Sequence, residues 1–187
     1  MNVFDCIMGR RSVRRYKADA VPRETMERIV EAGLAAPSAM DSQGWHFSVV
    51  TDGSLIDAMN ASIAPKLPEV PRKRMIERNG GDEDFSVFYR APVVVAVSGP
   101  VGDGSALTNC GLAVQNMCLA AHALGVGSCV IGLAGLAFQG AEKERWTAAL
   151  QVPEGMEPLY AVVFGYADMT MPVPPRKDGR VTWIGNE

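Results

Sequence analysis

Val93-Val94-Val95-Ala96-Val97 is an unbroken apolar run dominated by β-branched residues. A run of this kind reads as a central strand buried on both faces. Phe88-Tyr89-Arg90-Ala91-Pro92 leads into it. Downstream, residues 106–124 read as a long helix, apolar on nearly all sides through Leu112, Val114, Met117, Leu119, Ala120, Ala121 and Leu124. Such a helix sits deep in a core or in an interface. Three more strands are expected at residues 46–50, 128–131 and 159–164, the last closed by Gly165. Further helices are expected over 22–36, 54–61 and 142–150. Pro22 suits a helix start, and the residue before Pro37 resists helical angles. Helices and strands are interspersed, with too few strands for a regular alternating barrel. The fold class is therefore α+β, a central sheet with helices packed on it.

The 187 residues fit one domain spanning 1–187, long enough to bury a substantial core. Apolar residues make up 48% and charged residues 21%, a globular rather than disordered composition. No apolar stretch reaches the roughly eighteen residues a membrane span needs, and Met1-Asn2-Val3-Phe4-Asp5 lacks the pattern of a secretory leader. The expected location is the cytoplasm, with no membrane partner. A net charge of -3 argues against nucleic-acid binding. Cys6, Cys110, Cys118 and Cys129 form no C-x-x-C pair, and His46 and His122 lie far apart, so buried free thiols are expected and no metal site.

Against this acidic background stands Arg10-Arg11-Ser12-Val13-Arg14-Arg15-Tyr16, in which four of seven residues are arginine. It begins where a first helix, capped by Asn2 and stopped by Gly9, should end. Two readings stand: a solvated turn, or a site for a specific anion, since guanidinium groups fit phosphate and carboxylate bidentately. No dinucleotide fingerprint, P-loop, H-E-x-x-H or G-x-S-x-G occurs in the chain. An anion site without an obvious nucleophile or metal suits chemistry carried by a bound cofactor. Residues 62–85, with Pro65, Pro68, Pro71 and Gly80-Gly81, read as an excursion from the core, a lid or a surface insertion. The proline-rich tail, 167–187, cannot form a core of its own and must lie across this subunit or a partner.

Arg10-Arg11-Ser12-Val13-Arg14, Ala36-Pro37-Ser38-Ala39-Met40-Asp41-Ser42-Gln43 and Tyr89-Arg90-Ala91-Pro92 together resemble motifs of the nitroreductase family of flavoproteins. Gln115-Asn116-Met117, Gly125-Val126-Gly127-Ser128, Ile131-Gly132, Gly165-Tyr166 and Pro175-Arg176 continue the pattern in the same order over nearly the whole chain. The resemblance implies an FMN-dependent oxidoreductase that uses NADH or NADPH to reduce electron-poor acceptors such as nitroaromatics or quinones, by ping-pong transfer through flavin N5. No side chain is then expected as a catalytic group.

The resemblance also implies an intertwined homodimer with a mixed or antiparallel sheet, two FMN molecules in the interface and each tail crossing to the other subunit. Arg10, Ser12 and Arg176 would hold the phosphate end, with Arg11 acting mainly through its backbone. Arg14 would lie beside the pyrimidine edge of the ring. Pro37, Ser38 and Ala39 would line the ring from the partner subunit, with Asp41 and Gln43 near ring and ribityl chain. Ile131 and Gly132 would sit against the central ring. Asp41 and Gly44 depart from the family's usual asparagine and proline. Flavin fragmentation or dehalogenation on the same fold, and a non-enzymatic flavin-binding role, are the alternatives.

Overall fold

The computed structural model describes residues 2–185. Four strands form one sheet: β1 (His46–Val50), β2 (Val93–Pro100), β3 (Gly127–Ile131) and β4 (Met156–Gly165). Their order is β1-β2-β4-β3 and every pairing is antiparallel. Among the described residues there are six helices, α1 (Val3–Gly9), α2 (Arg23–Leu34), α3 (Gly53–Ile63), α4 (Glu69–Arg78), α5 (Ala106–Ala123) and α6 (Lys143–Ala149), of which α1 lies against α5 and the others pack on the sheet's two cores. Short 3-10 turns occur at Ala39–Asp41 and Gly132–Leu136, among others.

β2 is the central strand that its composition requires. Side chains alternate across a strand, so Val93, Val95 and Val97 face α2 and α5, while Val94 and Ala96 face the opposite core. Neighbouring β4 follows the same rule, with Val162 and Phe164 on the first face and Ala161 and Val163 on the second. Burying each such valine stabilises the fold by roughly 1.5–3 kcal/mol. β2 runs three residues beyond the apolar stretch, because Ser98, Gly99 and Pro100 pair with Pro158, Glu157 and Met156 past a bulge. α5 carries the chain from β2 to β3, and β4 later fills the place between them. Gly33 brings α2 against α5, where a Cβ would come 2.6 Å from Met117 Cγ.

Residues 62–85 are seated on the core rather than held away from it. Ile63, Leu67, Met75 and Phe85 are all buried in the cluster beneath the sheet. Asn60 ties the end of the segment down, donating to the Phe85 carbonyl and accepting from the Val87 N–H. The guanidinium of Arg72 lies over the Phe85 ring and donates to the Ala64 carbonyl. The four cysteines are free and buried. Burial pushes the Cys110 thiol up to about 11 and raises those of Cys118 and Cys129.

The arginine stretch leaves α1 as an extended segment along the outer edge of β3. Ser12 bridges Ser128 in parallel, the Val13 N–H donates to the Ser128 carbonyl at 2.9 Å, and Tyr16 bridges Ala167. Two glycines make room for it. A Cβ at Gly127 would come 2.8 Å from Val13 Cγ2, and one at Gly165 would come 2.8 Å from Tyr16 Cδ1 and 2.7 Å from Pro92 Cδ. Gly165→Ala should therefore destabilise the protein by about 1–3 kcal/mol through overpacking. Gly53→Ala, where a Cβ meets nothing within 4 Å, should be neutral or slightly stabilising. Thermal melts of the two variants check this. In the native protein the four thiols should resist a thiolate-selective reagent near neutral pH and all react after denaturation.

Candidate functional site

The arginine stretch is extended, held to the sheet by isolated bridges of Ser12 to Ser128 and Tyr16 to Ala167. Arg10 leaves the helix at φ −57°, ψ 131°, and its N–H closes the last turn of α1 on the Cys6 carbonyl. Arg11 turns back on that helix: its Nη1 donates at 2.7 Å to both the Met8 and Arg10 carbonyls. A cation at a helix C-terminus also complements the macrodipole. Arg14 Nη1 makes a long contact, 3.4 Å, with the Ser12 carbonyl. Arg15 is spoken for differently. Its Nε donates to the Asp168 carbonyl at 2.6 Å, its guanidinium faces the Asp168 carboxylate at 3.5 Å, and its own carbonyl accepts from the Asp168 N–H. Arg15 therefore fastens the base of the tail.

Three guanidinium nitrogens in this stretch, Arg11 Nε and Nη2 and Arg14 Nε, are buried without a hydrogen-bond partner. Buried donors on a charged group are costly unless something accepts from them. The field there is positive. The Cys129 thiol, raised by burial, is pulled back down by Arg14, by a hydrogen bond from Ser12, and by Arg78 and Arg10. Arg78, the last residue of α4, thus belongs to the same electrostatic neighbourhood, and sequence reasoning missed it. Tyr16 is also missed; its hydroxyl donates to the Val13 carbonyl at 2.7 Å and burial pushes its pKa upward. A cleft of about 460 Å³ opens at the start of the stretch, lined by Arg10, Arg11, His122, Ser128 and Met169.

Ile131 and Gly132 lie on the same edge. β3 runs from the Ser12 bridge at Ser128 to Ile131, roughly 10 Å along the strand. Ile131 is buried, whereas Gly132 is exposed and a Cβ there would meet nothing within 4 Å. The space above the end of β3 is open.

Pro37, Ser38, Ala39, Asp41 and Gln43 form a separate wall. Met40, Asp41 and Gln43 have φ of 52°, 53° and 47°, left-handed values without a glycine among them. Each costs of order 1–3 kcal/mol and persists only where neighbours over-determine it. Ser38 Oγ accepts from the Gln43 N–H at 2.9 Å, and Gln43 Nε2 donates to Asp41 Oδ1 at 3.1 Å. The Ala39 N–H donates at 3.1 Å to Oδ1 of Asn109, which is buried on α5. Asn109 was hidden because α5 reads as apolar all round. Its spacing with Ala106, Cys110, Ala113 and Met117 puts it on the buried face, which a lone polar residue rarely occupies without a partner.

The two walls are anchored at opposite ends of α5. The loop is held by Asn109, in the first turn of α5. The arginine stretch begins against His122 in its last turn, where a Cβ on Gly9 would come 2.7 Å from Nε2. Thirteen residues of helix separate these points, about 20 Å. Arg176 is brought to neither wall: it is exposed on the tail and forms no hydrogen bond or ion pair among the described residues. Among the described residues no group of three His, Cys, Asp or Glu side chains could hold a metal ion.

The fold has counterparts among known proteins. The chain is 30% identical to a crystallised nitroreductase with bound FMN from Bacteroides fragilis, over 99% of this chain and 100% of that one, with a TM-score of 0.86. A nitroreductase with bound FMN from Desulfitobacterium hafniense is 32% identical over the same shares, with a TM-score of 0.91. Nitroreductase NfnB of Mycolicibacterium smegmatis is 28% identical, covering 89% of this chain and 83% of that protein. A Methanothermobacter thermautotrophicus protein named as a candidate NADH dehydrogenase/NAD(P)H nitroreductase is 30% identical, covering 89% and 78%. The family pattern itself matches residues 7–166, and on that extent the chain belongs to the nitroreductase family.

Proposed function

We propose that the protein is an FMN-dependent oxidoreductase that works as a homodimer with two cofactor sites, each built from both subunits. The observation that carries this reading is the set of buried, unpartnered guanidinium nitrogens on Arg11 and Arg14, on the same strand edge as the open space over Gly132. An anionic, planar cofactor fits both: its negative charge, on the phosphate at one end and on the reduced ring at the other, answers the arginine stretch, and its ring needs a surface without side chains. FMN-bound nitroreductases of the same fold support the choice of group.

FMN, when bound, supplies the chemistry: it takes hydride from NADH or NADPH and delivers it to an electron-poor acceptor such as a nitroaromatic or quinone, donor and acceptor using one pocket in turn. The chain's residues bind and tune. Arg10 and Ser12 hold the phosphate and ribityl end, joined by Arg176 from a tail. Arg14 sets positive charge beside the ring, which favours its reduced, more negative form. Ile131 and Gly132 form the floor against which the ring rests. Pro37, Ser38, Ala39, Asp41 and Gln43 come from the partner subunit, because within one chain their loop lies about 20 Å along α5 from the arginines.

The tail supports the dimer. Val173, Val181, Trp183 and Ile184 are all exposed, Trp183 at 92%. The outer edge of β1 has no strand partner among the described residues. An apolar groove of about 700 Å³ runs beside it, lined by Met26, Val30, Leu34 and Val49. A partner's tail laid there would bury its aromatic and aliphatic side chains and cover an exposed strand edge. We further propose a cytoplasmic location; no helix among the described residues is long and apolar enough to cross a membrane.

Protein purified and incubated with FMN should show flavin absorbance and oxidise NADH or NADPH in the presence of a quinone or nitroaromatic, with parallel lines in double-reciprocal plots. A colourless protein would refute the proposal, and intersecting lines would refute the shared pocket. Arg14→Ala should weaken FMN binding about tenfold or more, the worth of one charge-assisted contact, and shift the flavin potential downward. An unchanged potential in that variant contradicts the role given to Arg14.

A further inference from the structure

The loop that carries Asp41 and Gln43 is held in an unfavourable shape by contacts outside it, one of them to a buried side chain far away in sequence. Its internal hydrogen bonds, Gln43 N–H to Ser38 Oγ, Asp41 N–H to the Ser38 carbonyl and Ser42 N–H to the Ala39 carbonyl, all join neighbours within the turn. They shape the loop but do not fix it to the protein. The Trp45 N–H does so at the loop's end, donating to the Gln43 carbonyl at 2.9 Å, and Asn109 does so at its start. Its Oδ1 accepts from the Ala39 N–H at 3.1 Å, and its Nδ2 reaches Ser42 Oγ at 3.5 Å and Ser105 Oγ at 3.4 Å. Asn109 is 2% exposed, on the longest helix of the fold. Ser105 is itself fixed, since Asp103 Oδ1 accepts from its N–H at 2.8 Å and its hydroxyl at 2.6 Å. A chain of hydrogen bonds thus runs from Asp103 through Ser105 and Asn109 to the loop, where Gln43 orients the Asp41 carboxylate.

We infer that Asn109 is a positioning residue for cofactor binding: through the Ala39 N–H and Ser42 it holds the left-handed Met40–Gln43 turn in the shape that presents Asp41 and Gln43 to the flavin. The inference rests on the reading that this loop lines the cofactor of the partner subunit. A site held in advance binds without the cost of ordering its loop. Removing the amide frees the Ala39 N–H and lets the three left-handed residues relax to commoner angles. The loss then falls on cofactor binding, not on the sheet.

The test compares Asn109→Ala, Asn109→Asp and Gln43→Ala in the full-length protein, with the FMN dissociation constant read by flavin fluorescence and the melting temperature of the apoprotein read alongside. Asn109→Ala should raise the FMN dissociation constant about tenfold or more, the usual effect of losing a buried hydrogen bond that shapes a site. Asn109→Asp keeps an acceptor for the Ala39 N–H, and the Ser42 hydroxyl can turn to donate to it. It should stay within about threefold of the native value. If Gln43→Ala weakens FMN binding while Asn109→Ala does not, the loop lines the cofactor but Asn109 does not position it, and the inference is overturned. If neither variant changes FMN binding, the reading of the loop as a cofactor wall fails and the inference with it. Should Asn109→Ala not fold, Asn109→Ser takes its place: its hydroxyl is too short to reach Ala39, so unchanged FMN binding overturns the inference and weakened binding supports it.

Discussion

α5 separates the arginine stretch from the 37–43 loop, and the rest of the account depends on that separation. One face of the helix is buried between the sheet and α2, with Ala113, Met117 and Ala121 fully enclosed, while Leu107 and Leu112 stand exposed on the other. At its first turn Asn109 holds the strained loop; at its last turn His122 touches the start of the arginine stretch. A rigid helix cannot shorten, so these two anchor points stay about 20 Å apart in one chain. Each wall is also incomplete alone. One has buried cationic donors without acceptors, and the other is an exposed turn of left-handed residues presenting a carboxylate, an amide and the wholly exposed Met40.

The arginine stretch shows how a fold can offer charged side chains to a ligand without anchoring them. Its backbone is bound to Ser128, Tyr166 and Asp168, and its apolar members Val13 and Tyr16 fit where Gly127 and Gly165 leave room. Arg15 is used for the tail and most of Arg11 for the end of α1. Arg10 and Arg14 remain for other work, with Arg78 of α4 adding to the local field. Surface ion pairs elsewhere, such as Arg23 with Glu27, are exposed and contribute little.

Much of the fold was legible from residues alone because burial leaves a period. The Val93–Val97 run, the apolar run of residues 159–164 and the apolar character of residues 106–124 all declared their places. Strand order and direction were not legible, since they depend on where α5 returns the chain and on β4 entering last between β2 and β3. Prolines and charges made residues 62–85 look detached, yet four apolar side chains at wide spacing suffice to seat the segment. In the site, the arginines were conspicuous against an acidic chain. Asn109 was not, because its role lies in two hydrogen bonds to residues about seventy positions away, a pairing no local pattern carries. Nor was the loop's conformation, since left-handed angles at methionine, aspartate and glutamine run against local preference.

The central claim is that one cofactor site is assembled from the arginine stretch of one subunit and the 37–43 loop of the other. A chain carrying Arg10→Ala and Arg14→Ala, coexpressed with a chain carrying Asp41→Ala and Gln43→Ala, tests it directly. The account predicts that each variant homodimer loses most of its flavin, while the purified mixed dimer, with one site free of substitutions, regains about half the native FMN content. A mixed dimer as poor in flavin as its parents would mean that both walls serve the same site within one chain, and would contradict it.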